Sequence, residues 1–277
     1  MLYSKYNIGM KIVVFDLDET LGYFVQFGIF WDSIDKYLKN KNKINKLVET
    51  DFAALFDLYP EFLRPNILNI LTYLKKKKKK NQCHKVLIYT NNMGPREWAQ
   101  KIIAYFEGKI NYKLFDQIIA AFKINGKQVE ICRTTHSKTH EDLIKCTKIP
   151  ADTEICFIDD VFYPDMANDS IYYINIKPYY HQLPFEEMIR RLKHSELFKR
   201  LFGDEESMAD FDRDLMRNIN EYNYEVFKKQ ADEYAVDKIL GKHIIQHLQS
   251  FFNGSSKNRT AKNRGNRRNK TLKNLEG

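Results

Sequence analysis

Cysteine is scarce and scattered: Cys83, Cys132, Cys146 and Cys156 are the four in 277 residues. They form no CxxC pair, and the chain is too large to need covalent staples. They are expected as reduced thiols of a cytoplasmic or nuclear protein. Long apolar runs are also missing. No stretch approaches the roughly 18 residues of a membrane helix, and the N-terminal MLYSKYNIGMK lacks the apolar segment of a signal peptide. The expectation is a soluble protein that is neither secreted nor membrane-bound. Histidine clusters with metal-site character are absent too. His136/His140 and His243/His247 have i, i+4 spacing, but no acid or cysteine cluster accompanies either pair, which argues against zinc.

What the chain does contain is enough apolar material for a core, 43% hydrophobic and 14% aromatic. Its length suits one domain of about 180 residues with additions, or two small domains. The net charge of +9 is unevenly placed: residues 253–277 hold eight Lys or Arg against one Glu, hence +7, and the rest of the chain only +2. Any argument for a polyanionic partner therefore rests on that tail, or on the six consecutive lysines Lys75 to Lys80, rather than on the folded body.

The chain is organised around KIVVFDLDETLG, Lys11 to Gly22. An unbroken apolar run, Ile12 to Phe15, reads as a parallel strand buried on both faces. Asp16 and Asp18 follow at its tip, where ligands of open α/β sheets gather. The turn that must come next can bring both carboxylates toward one pocket. Two acids there call for a cation; oxygen ligands near phosphate suit Mg²⁺, and a metal-neutralised carboxylate can attack phosphorus.

Two further stretches repeat the arrangement of strand tip plus polar residue, and a third sets polar residues at the start of a helix. VLIYT, Val86 to Thr90, is a buried strand ending in a hydroxyl, followed by Asn91 and Asn92 and a helix opened by Pro95, with Trp98, Ile102 and Phe106 spaced by four. HSKTHEDL reads as a helix start with Ser137 or Thr139 near its N-terminus. The strand Ile155 to Ile158 ends in Asp159-Asp160, two adjacent carboxylates that are costly without a cation. FDQIIAAF and KQVEIC flank Asn125-Gly126 as a hairpin, and Ile171 to Ile176 is the closing strand.

FDLDETL resembles the DxDxT motif of the haloacid dehalogenase-like (HAD) phosphohydrolases. Glu19 makes it similar to the FCP/SCP phosphatases, the NLI-interacting-factor-like group that acts on the RNA polymerase II C-terminal domain. The RP segment at Arg64-Pro65 with the helix after it, VLIYT and IDD extend the resemblance. It implies a HAD-like Rossmannoid three-layer α/β sandwich with a parallel central sheet, and Mg²⁺-dependent phosphomonoester hydrolysis through an aspartyl-phosphate. In that reading Asp16 is the nucleophile and Asp18 the acid and then the base. Thr90, Asn91 and Lys138 bind phosphate. Asp16, Asp18 (through its backbone carbonyl), Asp159 and Asp160 hold the metal, and Thr20 braces the turn. Lys145 is the alternative to Lys138, Arg133 is a further candidate for substrate contact, and Asp165 either joins the acidic rim or opens a turn.

The implied organisation is a phosphatase domain over 1–184, with a mostly helical insertion at about 23–62, a helical C-terminal extension over 185–252, and a disordered basic tail over 253–277. The insertion departs from the small β-rich insert of the FCP/SCP proteins. Within it Asp51 is expected as the N-cap of a helix over FAALFDLY. The extension is expected as one helix from Phe185 to about Phe202 and a second marked by Phe211, Leu215, Ile219, Tyr222 and Val226. The expected substrate is a phosphoserine or phosphothreonine protein. A nucleic-acid end phosphatase and a catalytically silent scaffold are the alternatives. The tail suits nucleic acid or an import receptor, and the lysine run is either a solvated helix terminus or a polyanion contact.

Overall fold

The computed structural model describes residues 9–41, 46–203 and 208–254, so the tail expected over 253–277 lies, from residue 255 onward, outside the described residues. The elements in chain order are β1 (Lys11–Phe15), α1 (Val25–Asn40), α2 (Glu49–Phe56), α3 (Ile67–Lys79), β2 (Lys85–Tyr89), α4 (Arg96–Ile110) and β3 (Gln117–Ile119). There follow β4 (Lys123–Ile124), β5 (Lys127–Gln128), α5 (His140–Thr147), β6 (Glu154–Asp159), β7 (Ile171–Asn175), α6 (Phe185–Lys193), α7 (Glu196–Phe202), α8 (Met208–Asn220) and α9 (Ala231–Asn253).

The chain divides into two compact units. One comprises Met1–Leu21, Pro65–Pro178 and Val236–Gly277, the other Gly22–Arg64 and Tyr179–Ala235. The insertion after β1 thus groups with most of the C-terminal helices, while α9 joins the sheet-bearing unit along most of its length. Neither grouping follows from position along the chain.

The first unit is a Rossmann-like α/β fold. Its sheet has the order β3-β2-β1-β6-β7, all parallel. β1 is buried along its whole length, as its unbroken apolar run requires of a central strand. Ile12, Val14, Leu87, Tyr89, Ile155 and Phe157 share one face and pack with Leu143 of α5. The strand order reverses direction at β1, with β2 and β3 added on one side and β6 and β7 on the other. The crevice beyond the carboxyl ends of β1 and β6 is therefore the topological switch point where ligands of such sheets bind.

FDQII does not belong to the hairpin expected of it. Gln117–Ile119 pairs parallel with β2, and the hairpin at Asn125-Gly126 shrinks to Lys123–Ile124 against Lys127–Gln128. α9 is tied to this unit at its middle and at its C-terminal end. Asn66 Nδ2 donates to the Gly241 carbonyl at 3.1 Å, and Lys11 Nζ donates to the carbonyls of Phe251 and Gly254 at 2.9 and 3.0 Å. Gly241 permits the approach: a Cβ there would lie 2.2 Å from the Pro65 carbonyl oxygen.

The lysine run forms the C-terminal turns of α3, and much of it serves the fold. Lys75 Nζ donates to the Ile110 carbonyl at 2.7 Å, satisfying the end of α4, and Lys78 binds the Leu114 carbonyl and Asp116. Lys77 lies over the rings of Tyr73 and Phe252, and Lys79 over Tyr112.

In the second unit α1 presents Phe27 to Phe52, Phe56 and Phe62, and Tyr37 to Phe202 and Phe211, in mostly edge-on aromatic contacts. Asp51 acts from the third helical position of α2, accepting from Val48 N at 2.7 Å, rather than as the N-cap. The stretch from Phe185 to Phe202 is two helices, because Ser195 accepts from Phe198 N and caps a new one. α8 stops at Asn220, so Tyr222 and Val226 are not on its face.

The expectation of four free thiols is corrected. Cys132 and Cys146 are joined in a disulfide across 14 positions, because the loop after β5 doubles back along α5. Cys83 and Cys156 are free and buried, and burial pushes the Cys83 thiol up to about 12. No helix among the described residues is long and apolar enough to cross a membrane.

Candidate active site

β1 continues its register into the site: Asp16 N donates to the Ile158 carbonyl at 2.9 Å, seating Asp16 beside the tip of β6. The chain then turns sharply, with Glu19 at φ +61° and Leu21 N donating to the Leu17 carbonyl at 2.9 Å. A left-handed residue without glycine's freedom is uncommon and is held here by its surroundings. One restraint is Thr20, whose hydroxyl donates to Asp160 Oδ1 at 2.9 Å and joins the β1 turn to the β6 tip.

At the centre lies Lys138, 1% exposed. Its ammonium donates to Asp16 Oδ1 at 2.5 Å and Asp159 Oδ2 at 2.6 Å, with the Tyr163 ring 5.3 Å away. Burial alone would lower its proton affinity, but the two carboxylates outweigh burial and raise it, so the group stays cationic. Asp159 also accepts from Val161 N at 2.9 Å. Desolvation nonetheless pushes Asp159 up, against Lys138 and with help from Asp16, and pushes Asp160 up as well.

Asp18 stands apart from this network. Its Oδ2 accepts from Asn92 Nδ2 at 2.6 Å, and its Oδ1 is shut off from solvent with no hydrogen-bond partner among the described residues. Desolvation raises its pKa to about 7, opposed by Asn92 and reinforced by the charge on Asp16. A carboxyl raised by burial, next to one that is paired with an ammonium, is the arrangement that assigns acid and base roles.

The loop that delivers Lys138 is built on Arg133, 1% exposed. Its guanidinium donates to the carbonyls of Thr90, Ala120, His136 and Ser137 at 2.9–3.2 Å. Arg133 is thus committed to backbone, which corrects its assignment as a substrate contact; it is a positioning residue. Asp142, fully buried, accepts from both Thr134 N and Thr134 Oγ1 at 2.9 Å. Thr139, not Ser137, caps α5, accepting from Asp142 N at 3.0 Å. Lys145 is exposed on α5 and takes no part, and Asp165 sits exposed in the Pro164–Met166 turn.

Thr90 lies at the tip of β2, where its hydroxyl oxygen accepts from Asn92 N at 3.0 Å and its hydroxyl hydrogen remains to donate. Asn91 is directed to the Tyr163 hydroxyl at 3.0 Å rather than to a carboxylate. Asn92 and Tyr163 are participants that residue spacing did not reveal. The only signal in the chain was that Asn92 and Tyr163 lie close after the β2 and β6 tips.

Asp16, Asp159 and Asp160 each offer an oxygen within 4.8 Å of the others, a set that could hold a metal ion; the Asp18 side chain is not among them. With Asp18 counted, four carboxylates face one ammonium. The surplus negative charge and the oxygen-only donor set fit a hard divalent cation. Compared with protein-family models, with curated proteins and with solved structures, the chain matches none.

Proposed function

We propose that the protein is a Mg²⁺-dependent phosphomonoester hydrolase of the HAD-like type, acting through an aspartyl-phosphate on phosphoserine or phosphothreonine proteins as FCP/SCP phosphatases do. The observation that carries this reading is the contrast between two carboxylates one residue apart. Asp16 is paired with a buried ammonium, whereas Asp18 has one oxygen buried without a partner and a pKa near 7.

Asp16 attacks phosphorus, forming a new O–P bond as the ester P–O bond breaks. The Asp18 carboxyl gives its proton to the departing oxygen. The Asp18 carboxylate then takes a proton from water; the resulting hydroxide attacks phosphorus, the aspartyl–phosphorus bond breaks, and phosphate leaves with Asp16 restored. Lys138 and the Thr90 hydroxyl bind the phosphoryl oxygens, where positioning and charge neutralisation supply most of the acceleration. Asp16, Asp159 and Asp160 would hold Mg²⁺, and its chemistry when bound is to neutralise the carboxylates and polarise the phosphoryl group. Asn92 keeps Asp18 oriented, and Arg133 holds the Lys138 loop.

A peptide substrate is supported by apolar residues beside the machinery. Met93 follows Asn92 and is 71% exposed, while Val161 and Phe162 follow Asp160 at 49% and 40%. Phe162 is stacked on Tyr173 with centroids 5.5 Å apart, a fixed apolar surface.

The test is phosphate release from an aryl phosphate, a phosphopeptide and a 3′-phosphorylated oligonucleotide, for the wild type and Asp16→Asn. The expected result is Mg²⁺-dependent turnover that is lost in the variant with its circular dichroism unchanged, and preference for the phosphopeptide. Full activity in Asp16→Asn would overturn the mechanism. Preference for the oligonucleotide would replace the substrate class, and no turnover with an intact fold would favour a scaffold.

A further inference from the structure

The loop after β6 brings a phenol among the groups assigned to phosphate. Tyr163 follows Asp160 by three positions, and its hydroxyl oxygen accepts from Asn91 Nδ2 at 3.0 Å. Asn91 is the neighbour of Thr90, so this bond joins the tip of β2 to the loop after β6. The Tyr163 ring centre lies 5.3 Å from Lys138 Nζ, the ammonium that Asp16 and Asp159 share. Tyr163 thus reaches the surroundings of both Thr90 and Lys138.

The phenol is fixed in place. Tyr163 N donates to the Tyr173 hydroxyl at 2.9 Å, and that hydroxyl donates to the Val161 carbonyl at 2.8 Å, so one side chain of β7 holds the loop at two points. Met166, fully buried, donates its N–H to the Tyr163 carbonyl at 3.0 Å. The ring is half-buried against the core cluster that includes Tyr89, Leu143 and Phe157.

What sets Tyr163 apart is its hydrogen. A phenol is protonated at neutral pH and can both donate and accept. Here the oxygen is used by Asn91, while the hydrogen has no acceptor among the described residues. Asp159 and Asp16 lie within electrostatic reach, yet neither takes it: Asp16 Oδ1 and Asp159 Oδ2 accept from Lys138, and Asp159 Oδ1 from Val161 N. A tyrosine with a purely structural role spends both halves of its hydroxyl inside the fold, as Tyr173 does in the same loop. The Tyr163 donor is left for a ligand, on a scaffold that has no need to rearrange when the ligand arrives.

We infer that the Tyr163 hydroxyl donates to a phosphoryl oxygen of the substrate, a third donor beside the Thr90 hydroxyl and Lys138, in a role that rests on the hydrolase reading above. Asn91 then serves the phosphate indirectly, since by occupying the phenol oxygen it limits where the hydrogen can point. A fixed donor gains strength as charge builds on the oxygens in the transition state, so the contact acts on rate more than on substrate binding.

The test compares the full chain with Tyr163→Phe, which keeps the ring and removes only the hydroxyl, and with Asn91→Ala, which removes the donor to that hydroxyl. Binding of orthovanadate in millimolar Mg²⁺ is read by isothermal titration calorimetry, and turnover of an aryl phosphate by phosphate release. The expected result is vanadate binding at least about tenfold weaker in Tyr163→Phe, with kcat about 10- to 100-fold lower, KM changed by less than about threefold and circular dichroism unchanged. Asn91→Ala is expected to lose less on both readouts. Equal vanadate affinity in wild type and Tyr163→Phe, an equal or larger loss in Asn91→Ala, or a wild type that binds no vanadate would each overturn the proposal. Weaker vanadate binding in Tyr163→Phe without turnover in the wild type would strike the hydrolase reading and leave the oxyanion contact standing.

Discussion

Replacing Lys138 by methionine tests the charge balance of the site directly. The ammonium is the cation shared by Asp16 and Asp159, and removing one partner of a buried ion pair costs about 3–5 kcal/mol because the remaining charge is stranded. For a chain of this size that corresponds to a melting temperature lowered by about 10 °C at pH 8 without divalent ions. The loss depends on pH with a definite sign. Asp18, Asp159 and Asp160 have proton affinities raised by burial. Below about pH 4 such a group is protonated in both the folded and unfolded chain and contributes nothing. Above that pH the folded state keeps protons that the unfolded state has released, up to about pH 7 for Asp18 and Asp159, so stability falls as pH rises, by up to about 1.4 kcal/mol per pH unit for each group. Without Lys138 the carboxylates hold protons more tightly still, so the gap between wild type and variant widens from pH 5 to pH 8. Millimolar Mg²⁺ at pH 8 narrows it by filling the charge deficit. The assay is thermal melting by circular dichroism at pH 5 and pH 8, with EDTA or with Mg²⁺. An equal deficit at both pH values, indifferent to Mg²⁺, would refute the reasoning that stranded carboxylates are what Lys138 offsets.

Asn92→Leu removes the hydrogen bond that opposes the rise in Asp18; the carboxyl is expected to bind its proton about tenfold more tightly, read by carbon NMR titration of Asp18. Arg133→Met leaves four carbonyls without their donor and is expected to cost about 3–5 kcal/mol, with faster amide exchange over 133–139 than elsewhere. Peptide mapping of the unreduced protein is expected to find Cys132 linked to Cys146, and reduction to cost about 3 kcal/mol in chemical unfolding, the loop-closure value for that separation.

Much of the sheet and the outline of the site were legible in the chain. Apolar runs of four or five residues ending in Asp16, Thr90 and Asp159 are local signals, because a strand buried on both faces cannot carry polar side chains until its tip. Lys138 was reached through the resemblance, which implies a lysine at the start of the helix before the last acidic motif; it stands one residue before Thr139, the cap of α5. Asn91 and Arg133 show the limit of that reading. Both are polar residues at expected places, yet one side chain turns to Tyr163 and the other to four carbonyls, choices set by partners 3 to 72 positions away.

By itself, then, the sequence determined which segments become strands and which residues stand at their tips, since burial of short apolar runs is decided within the run. The tertiary structure decided the rest. Chain crossing brought Cys132 to Cys146, made one unit of the insertion and most of the C-terminal helices, and carried the end of α9 to the lysine run. It also decided which carboxylates share the ammonium and which one keeps an oxygen buried without a partner, because desolvation and charge pairing depend on what the folded chain places around each group.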